Sequence, residues 1–126
     1  MKHKPELIFL KFHLPALIMA LAILTLSSIP NLTLPDAGID FEDKIPHFIE
    51  YFIFYMFLLR SASKLFKSAK KRYLYSFLFA VAFAGIDEIH QMFIPGRYSE
   101  LFDFIADTAG SALSMTLMAV FKRYSV

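Results

Sequence analysis

The chain has 126 residues and no cysteine. The absence of cysteine excludes disulfide bonds, thiolate metal ligands and a cysteine nucleophile. The sequence also lacks a His-Glu-x-x-His motif, the signature of one large class of zinc hydrolases. No internal repeat or low-complexity tract is present. A chain of this length is predicted to form one domain, without room for a separate soluble partner domain.

Apolar side chains dominate what is present. Hydrophobic residues make up 57% of the chain, Phe occurs 15 times, and the mean hydropathy is +0.53. Four apolar runs can be delimited, at 12–29, 45–59, 73–86 and 104–121. The first and last are about long enough to cross the ~30 Å hydrocarbon core of a bilayer as helices. The two middle runs reach that length only if polar residues at one end of each continue the helix.

The charged residues are sorted between alternate polar segments. Apart from Lys44 and Arg97, the 13 basic residues precede the first run, separate the second from the third, or follow the fourth. They are Lys2, Lys4, Lys11, Arg60, Lys64, Lys67, Lys70, Lys71, Arg72, Lys122 and Arg123. Apart from Glu6, the 11 carboxylates occupy the other segments: Asp36, Asp40, Glu42, Asp43, Glu50, Asp87, Glu88, Glu100, Asp103 and Asp107.

This sorting is typical of membrane proteins, because basic flanks stay in the cytoplasm during insertion. It predicts an all-α integral membrane bundle of four transmembrane helices, at about 12–29, 43–60, 73–91 and 100–121, with both termini cytoplasmic. The expected location is the cytoplasmic (inner) membrane, as a multi-pass protein. A cleaved signal peptide is the alternative for the first run, but no Ala-x-Ala site follows it, so an uncleaved helix is favoured.

Ionisable residues gather at the outer ends of the second, third and fourth predicted helices. Spacings of three or four residues place Asp43, His47 and Glu50 on one face of the second helix. Asp87 and Asp107 fall at similar positions on the other two helices. Ionisable groups at membrane depth are costly, so they usually face protein or water and usually have a role. The sequence therefore predicts an acidic, histidine-containing pocket open to the outer face.

The residues assigned to this pocket are the polar groups of those three helix ends. They are Asp43, Lys44, His47, Glu50, Tyr51, Asp87, Glu88, His90, Gln91, Arg97, Asp103 and Asp107. A divalent metal is one candidate occupant, with His47, Glu50, Asp87 and Asp107 as its predicted ligands. The alternative is an ion-pair network, in which His47 bonds Asp43 or Glu50 locally and the other helices pair with Arg97 and Lys44.

Two further local predictions concern the third and fourth helices. Pro95-Gly96 suits the centre of a type II turn, because proline supplies the fixed φ and glycine the positive one. Arg97 is then predicted to pair with Asp87 or Asp103, since its fork matches a carboxylate. Small residues at Ala106, Gly110 and Ser114 form a stripe that favours close helix packing rather than chemistry.

These residues resemble the VanZ-like membrane proteins. The resemblance is carried by Asp43-Lys44 with His47 and Tyr51, then Asp87-Glu88-x-x-Gln91-x-Phe93-x-Pro95-Gly96-Arg97, then Asp103 and Gly110. It implies a bacterial protein of a few transmembrane helices, from a family named for a protein linked to low-level teicoplanin resistance. The family has no established biochemical activity. It commonly has Asn where this chain has Asp107, so this pocket is one charge more acidic.

Three functions fit this pattern. The leading hypothesis is an envelope-associated accessory or binding factor that engages membrane lipid, lipid-linked cell-wall material or a glycopeptide without turnover. The second is a metal-dependent hydrolase or transferase acting on a lipid-linked envelope substrate. The third is a cation- or proton-coupled carrier, which would need a homo-oligomer because four helices enclose little space. No nucleic-acid partner is expected.

Overall fold

The computed structural model describes residues 4–30 and 43–124. Four residues that contribute to the predicted charge pattern, Lys2, Asp36, Asp40 and Glu42, lie outside this part. The described residues form four helical segments and contain no strand. The predicted all-α fold is thereby confirmed. The helices are α1 (Pro5–Ser27), α2 (Lys44–Leu65), α3 (Ala69–Gln91) and α4 (Leu101–Tyr124).

All four helices extend beyond their predicted bounds at the ends that carry the basic residues. α1 begins at Pro5 rather than near 12, and α2 continues to Leu65 rather than 60. α3 begins at Ala69 rather than 73, and α4 ends at Tyr124 rather than near 121. The sequence prediction delimited the uncharged stretches. Lysine and arginine form helix readily, however, and their long stems carry the charge away from the apolar surface.

Proline shapes α1 at its start and again near its middle. Pro5 occupies the first turn, where its missing N–H removes no helical bond. Farther along, residues Phe9–His13 form a π-helical turn, in which the Leu14 N–H donates to the Phe9 carbonyl. Pro15 follows at once and cannot donate to the carbonyl four residues earlier. The wider π turn accommodates this lost bond within a helix that otherwise continues to Ser27.

The connections after α2 and α3 are held by identifiable bonds. Between α2 and α3, Arg72 donates from Nε to the Phe66 carbonyl at 2.6 Å. Ser68 caps α3 by accepting the Lys71 N–H. After α3, the Arg97 N–H donates to the Ile94 carbonyl at 3.1 Å across Pro95 and Gly96. Gly96 has a φ of 73°, so the predicted type II turn is confirmed.

The helices alternate in direction. His13 on α1 bonds Ser61 near the end of α2, whereas Ser28, just after α1, bonds His90 near the end of α3. Glu88 on α3 bonds the Glu100 N–H at the start of α4. α1 and α3 therefore run one way, and α2 and α4 run the other. The bundle has one end where α2 and α4 begin, called here the acidic end, and an opposite end, called here the basic end.

Charge separates between these two ends. At the basic end, the cationic groups of Lys11, Arg60 and Lys64 lie 5.8, 5.3 and 4.3 Å from the centroid of the Phe12 ring. At the acidic end lie Asp43, Glu100 and the other carboxylates described below. This separation is the structural counterpart of the charge sorting seen along the sequence.

Aromatic packing and one close backbone contact hold the bundle together. Phe54 is buried against Phe83, with ring centroids 5.1 Å apart, and against Tyr51 in an edge-to-face pair. α2 and α4 approach so closely that a Cβ added at Gly110 would lie 2.2 Å from the Phe48 carbonyl oxygen. Ser114, one turn farther along the small-residue stripe, is fully buried. The stripe thus mediates close helix packing, as predicted.

The outer surface of the bundle is apolar along most of its length. Within the described part of the chain, two helices are long and apolar enough to cross a membrane, Pro5–Ser27 and Leu101–Lys122. On α1, Leu17, Ile18 and Leu21 are at least half exposed. Large exposed apolar surfaces of this kind mark contact with lipid or with a partner. The helices thus have the character of a membrane protein.

Candidate functional site

A cavity of about 380 Å³ opens between the helices at the acidic end. All four helices and the loop before α4 contribute to its wall. The lining residues are Ile23, Leu26, Ser27, Asp43, Pro46, His47, Glu50, Asp87, Gln91, Gly96, Arg97, Tyr98, Glu100 and Asp103. A second cavity, of about 640 Å³, lies toward the basic end and has mainly apolar walls. The carboxylates are thus concentrated around only one of the two cavities.

Lys44 joins three carboxylates at the rim of the acidic cavity. Its Nζ lies 2.5 Å from Asp43 Oδ2 and 2.6 Å from Asp103 Oδ1, and it also bonds Glu100. The Lys44 side chain is only 15% exposed. The hydrogen bond from Lys44 lowers the pKa of the Asp43 carboxyl below its ordinary value. This pairing of α4 with Lys44 agrees with the ion-pair alternative raised by the sequence.

His47 lies between two carboxylates of α4. Its Nδ1 is 2.9 Å from Asp107 Oδ1, a hydrogen bond, and its Nε2 is 3.7 Å from Asp103 Oδ2. Among the residues the structure describes, its ion-pair partners are on another helix rather than on α2. A purely local bond from His47 to Asp43 or Glu50 is therefore not what the structure shows. Because Asp107 is fully buried, this hydrogen bond holds the His47 ring against the interior of the bundle.

Glu88 approaches the same place from α3. Its Oε2 accepts the Glu100 N–H at 3.1 Å and the Ser99 hydroxyl at 3.5 Å, which ties α3 to the segment before α4. Its Oε1 is buried and has no hydrogen-bond partner among the residues that the structure describes, as is also true of Asp107 Oδ2. One nitrogen of His47 and one carboxylate oxygen each from Glu88 and Asp107 lie within 4.8 Å of one another.

The four metal ligands predicted from the sequence do not all fall in this group. His47 and Asp107 belong to it, whereas Glu50 and Asp87 line the cavity outside it. Asp87 is 2% exposed, and its Oδ1 has no hydrogen-bond partner. Glu88, which was predicted as a pocket residue but not as a metal ligand, takes the third position. A second group, of Asp43, Glu100 and Asp103, surrounds the Lys44 ammonium.

The other predicted pocket residues have mainly structural surroundings. Tyr51 is fully buried in the aromatic core, with its hydroxyl near no hydrogen-bond partner in the described part of the chain. Gln91 is buried and lines the cavity. His90 bonds the Ser28 hydroxyl at 2.8 Å, which fastens the end of α3 to the end of α1.

Arg97 corrects one prediction. Within residues 4–30 and 43–124, no carboxylate lies within 4.0 Å of its guanidinium, so the predicted pair with Asp87 or Asp103 is wrong. Instead, Nη2 makes a long bond of 3.5 Å to the Leu26 carbonyl, and Nε is buried without a partner. The reason is the turn at Gly96, which directs Arg97 toward the end of α1. The side chain still lines the cavity as a cation.

The contribution of α1 was not predicted. Ile23, Leu26 and Ser27 contribute apolar surface and one buried hydroxyl to the cavity wall. The signal available in the sequence was the polar pair Ser27-Ser28 at the end of the first run, on the same side as the acidic residues. Its spacing alone could not show that α1 closes the cavity rather than lying apart.

Taken with the fold, this geometry defines a class: a small all-helical protein of membrane character with a carboxylate-rich pocket at one end of the bundle. A sequence model of the VanZ/LLP1 family matches residues 6–122, nearly the whole chain. The protein belongs to the VanZ/LLP1 family. Searches of curated proteins and of solved structures gave no match.

Proposed function

We propose that this protein is an accessory or binding factor of the cell envelope, which holds the cationic group of an amphipathic molecule in the acidic pocket. In this proposal all four helices cross the cytoplasmic membrane, and the basic end faces the cytoplasm. The alternating helix directions and the separation of charge between the two ends support this arrangement.

Charge selects the ligand. The cavity wall carries five carboxylates, from Asp43, Glu50, Asp87, Glu100 and Asp103. Among the described residues, the lysine and arginine that oppose them are Arg97 in the wall and Lys44 at the rim. Such a surface repels a bare phosphate and attracts an ammonium group. The observation that carries the proposal is Asp87, which lines the cavity, is 2% exposed and has one oxygen without a hydrogen-bond partner among the described residues. Three of the four other carboxylates in the wall bond Lys44 instead.

The surroundings indicate that the ligand also has an apolar part. The wall from α1, with Ile23 and Leu26, is apolar, and it continues into a helix surface that is exposed and apolar. A ligand held by its amine at Asp87 would place its hydrocarbon portion along this surface. A membrane lipid with a primary amine in its headgroup fits this description, as does lipid-linked cell-wall material or a glycopeptide with an exposed amine.

Lipid retention by the purified protein tests the proposal. We expect the protein in detergent, examined by native mass spectrometry, to retain phosphatidylethanolamine in preference to phosphatidylglycerol with the same acyl chains. Asp87→Asn and Glu50→Gln should each weaken that retention about tenfold or more, because each removes a negative charge that would pair with the amine. Asp87 is buried and Glu50 is half-buried. Glu6→Gln is the matched control, since Glu6 is an exposed carboxylate far from the cavity.

Two outcomes would contradict this proposal. Equal retention of the two lipids by the unchanged protein would show that the amine is not recognised. Full retention by both Asp87→Asn and Glu50→Gln, with normal folding, would show that the pocket carboxylates only support the fold. The same variants can be tested in cells by a teicoplanin-susceptibility assay, because the family is named for a protein linked to teicoplanin resistance.

One observation favours a second candidate function. His47, Glu88 and Asp107 bring an imidazole and two carboxylates together next to the cavity. A metal held there would activate water or polarise a phosphoryl group, as a hydrolase or transferase of lipid-linked envelope substrates requires. Turnover of an undecaprenyl-phosphate-linked substrate by purified protein with Mn²⁺ or Zn²⁺, abolished by Glu88→Gln, would favour this candidate over binding alone.

A further inference from the structure

We propose that His47, Glu88 and Asp107 form a binding site for one divalent metal ion. The three residues come from α2, α3 and α4, so the site joins the three helices that meet at the acidic end. The inference does not depend on either candidate function, because a structural ion and a catalytic ion would occupy the same ligands. It changes the ligand set predicted from the sequence by assigning Glu88 in place of Glu50 and Asp87.

The two carboxylates are oriented as metal ligands usually are. Each is fixed through one oxygen and leaves the other without a partner. Glu88 is held by the Glu100 N–H, and Asp107 is held by His47. Glu88 is 5% exposed and Asp107 is 0% exposed, so water does not readily satisfy the remaining oxygens. A buried carboxylate oxygen without a partner is costly, and coordination to a cation removes that cost.

His47 has a suitable outer partner. Nδ1 faces Asp107, and Nε2 lies 3.7 Å from Asp103 Oδ2, so Nδ1 can bind the ion in place of its hydrogen bond to Asp107 while Nε2 faces Asp103. Asp103 is itself held by Lys44 at 2.6 Å. Metal-binding histidines generally have such a partner, which fixes the ring orientation and raises its basicity. Lys44 therefore holds Asp103, and Asp103 in turn orients the His47 ring, although neither Lys44 nor Asp103 is a proposed ligand.

The distances and the ligand types indicate which ions fit. Two atoms bonded to one ion at 2.0–2.6 Å can be up to about 5 Å apart. The three atoms lie within 4.8 Å of one another, so coordination needs only small side-chain movements. Imidazole with carboxylate, and no thiolate, suits Mn²⁺ or Zn²⁺, whereas Mg²⁺ prefers a shell made of oxygen alone. With neutral His47 and two ionised carboxylates, a divalent ion leaves this group without net charge.

A metal titration tests the site. After chelator treatment, the protein in detergent is titrated by calorimetry with MnCl₂, ZnCl₂ and MgCl₂. We expect one ion per chain, with Mn²⁺ and Zn²⁺ bound more tightly than Mg²⁺. Glu88→Gln and Asp107→Asn should each weaken Mn²⁺ binding by about 100-fold or more, since each removes a ligand charge. Glu88→Gln retains a carbonyl oxygen that can accept the Glu100 N–H, so the fold should be preserved.

The control variants remove an equal charge from the adjoining cavity wall without removing a proposed ligand. Glu50→Gln and Asp87→Asn should each weaken Mn²⁺ binding less than about tenfold, by the long-range loss of attraction alone. If all four variants weakened binding equally, the ion would be only screening the pocket charge, and the assigned ligand set would be wrong. Absence of binding at millimolar Mn²⁺ would also overturn the proposal.

Spectroscopy tests the histidine ligand directly in the unchanged protein. Pulsed electron paramagnetic resonance of the Mn²⁺-loaded protein should show coupling to one imidazole nitrogen. His47→Gln should remove that coupling, and circular dichroism measured without metal should show unchanged helix content. A loaded protein without nitrogen coupling would place the ion elsewhere. Failure of the metal experiments would leave preferential retention of phosphatidylethanolamine unaffected, so the two proposals fail separately.

Discussion

Gly110→Ala perturbs the contact on which the site depends. The added Cβ would lie 2.2 Å from the Phe48 carbonyl oxygen and 3.0 Å from the Phe48 carbonyl carbon. Ordinary contacts of a Cβ begin near 3.4 Å, so α2 and α4 must separate locally by about 1.2 Å. The obstructing atoms belong to the backbone of a helix. They cannot rotate away as the end of a flexible side chain could.

The free energy of unfolding should fall. Overpacking of a close contact costs about 1–3 kcal/mol. Replacing a helical glycine by alanine returns up to about 1 kcal/mol through helix propensity. The net expectation is a destabilisation of about 1–2 kcal/mol. The same separation also affects the site, because His47 precedes Phe48 and Asp107 lies one turn before Gly110. Their 2.9 Å bond should lengthen beyond hydrogen-bond distance.

Gly85→Ala provides the matched control. Gly85 is also inside a helix, but a Cβ added there would meet only the Phe104 ring, at 3.8 Å, which is an ordinary contact. This variant has the same gain in helix propensity without the clash. In thermal unfolding in detergent, we expect Gly110→Ala to melt below the unchanged protein, and Gly85→Ala to melt at the same temperature or above it. Equal melting temperatures for the two variants would refute the close approach of α2 and α4.

Three other predictions concern topology and charge. A reporter inserted near Lys67 should be cytoplasmic, and one inserted near Gly38 should be outside. The opposite result would place the acidic cavity in the cytoplasm. Lys44→Gln should destabilise the protein by about 3 kcal/mol in chemical unfolding, because it leaves three neighbouring carboxylates without their cation. Lys71→Gln is the control and should have little effect, because Lys71 is exposed. Arg97→Lys should preserve the melting temperature, since Arg97 makes no forked bond to a carboxylate in the described structure; a large loss would restore the pairing rejected above.

Helix identity and local turns could be predicted because they depend on near neighbours. The uncharged runs located all four helices, and Pro95-Gly96 specified its turn through the φ values of the two residues alone. The small-residue stripe through Gly110 indicated close packing, although not its partner. The helix starts at Pro5 and Ala69 were missed because hydrophobicity delimits an apolar segment rather than a helix.

The choice between Asp87 and Glu88 could not be predicted from the sequence. Adjacent residues on a helix point about 100° apart, so only one of them can face a given neighbour. Asp87 lies three and four residues before His90 and Gln91, and this spacing places it with them on one polar face. In the structure Asp87 faces the cavity, and Glu88 faces the start of α4. The rotation of α3 that decides this follows from packing against other helices, which includes the contact of Phe83 with Phe54.

The register between α2 and α4 explains why the close helix packing and the candidate site lie together. α2 and α4 run in the same direction, and their contacts advance together along both helices. Lys44 meets Asp103, His47 meets Asp107, and the Phe48 carbonyl meets Gly110. Both helices also begin at the acidic end, where the positive ends of their dipoles favour carboxylates. Sliding one helix by a single residue would break all three contacts, because each partner would rotate away by about 100°. The Gly110 contact sets the separation of α2 and α4, and the bond from Lys44 to Asp103 joins the two helices at the rim of the cavity. The histidine between them is thereby held against Asp107, next to the free oxygen of Glu88.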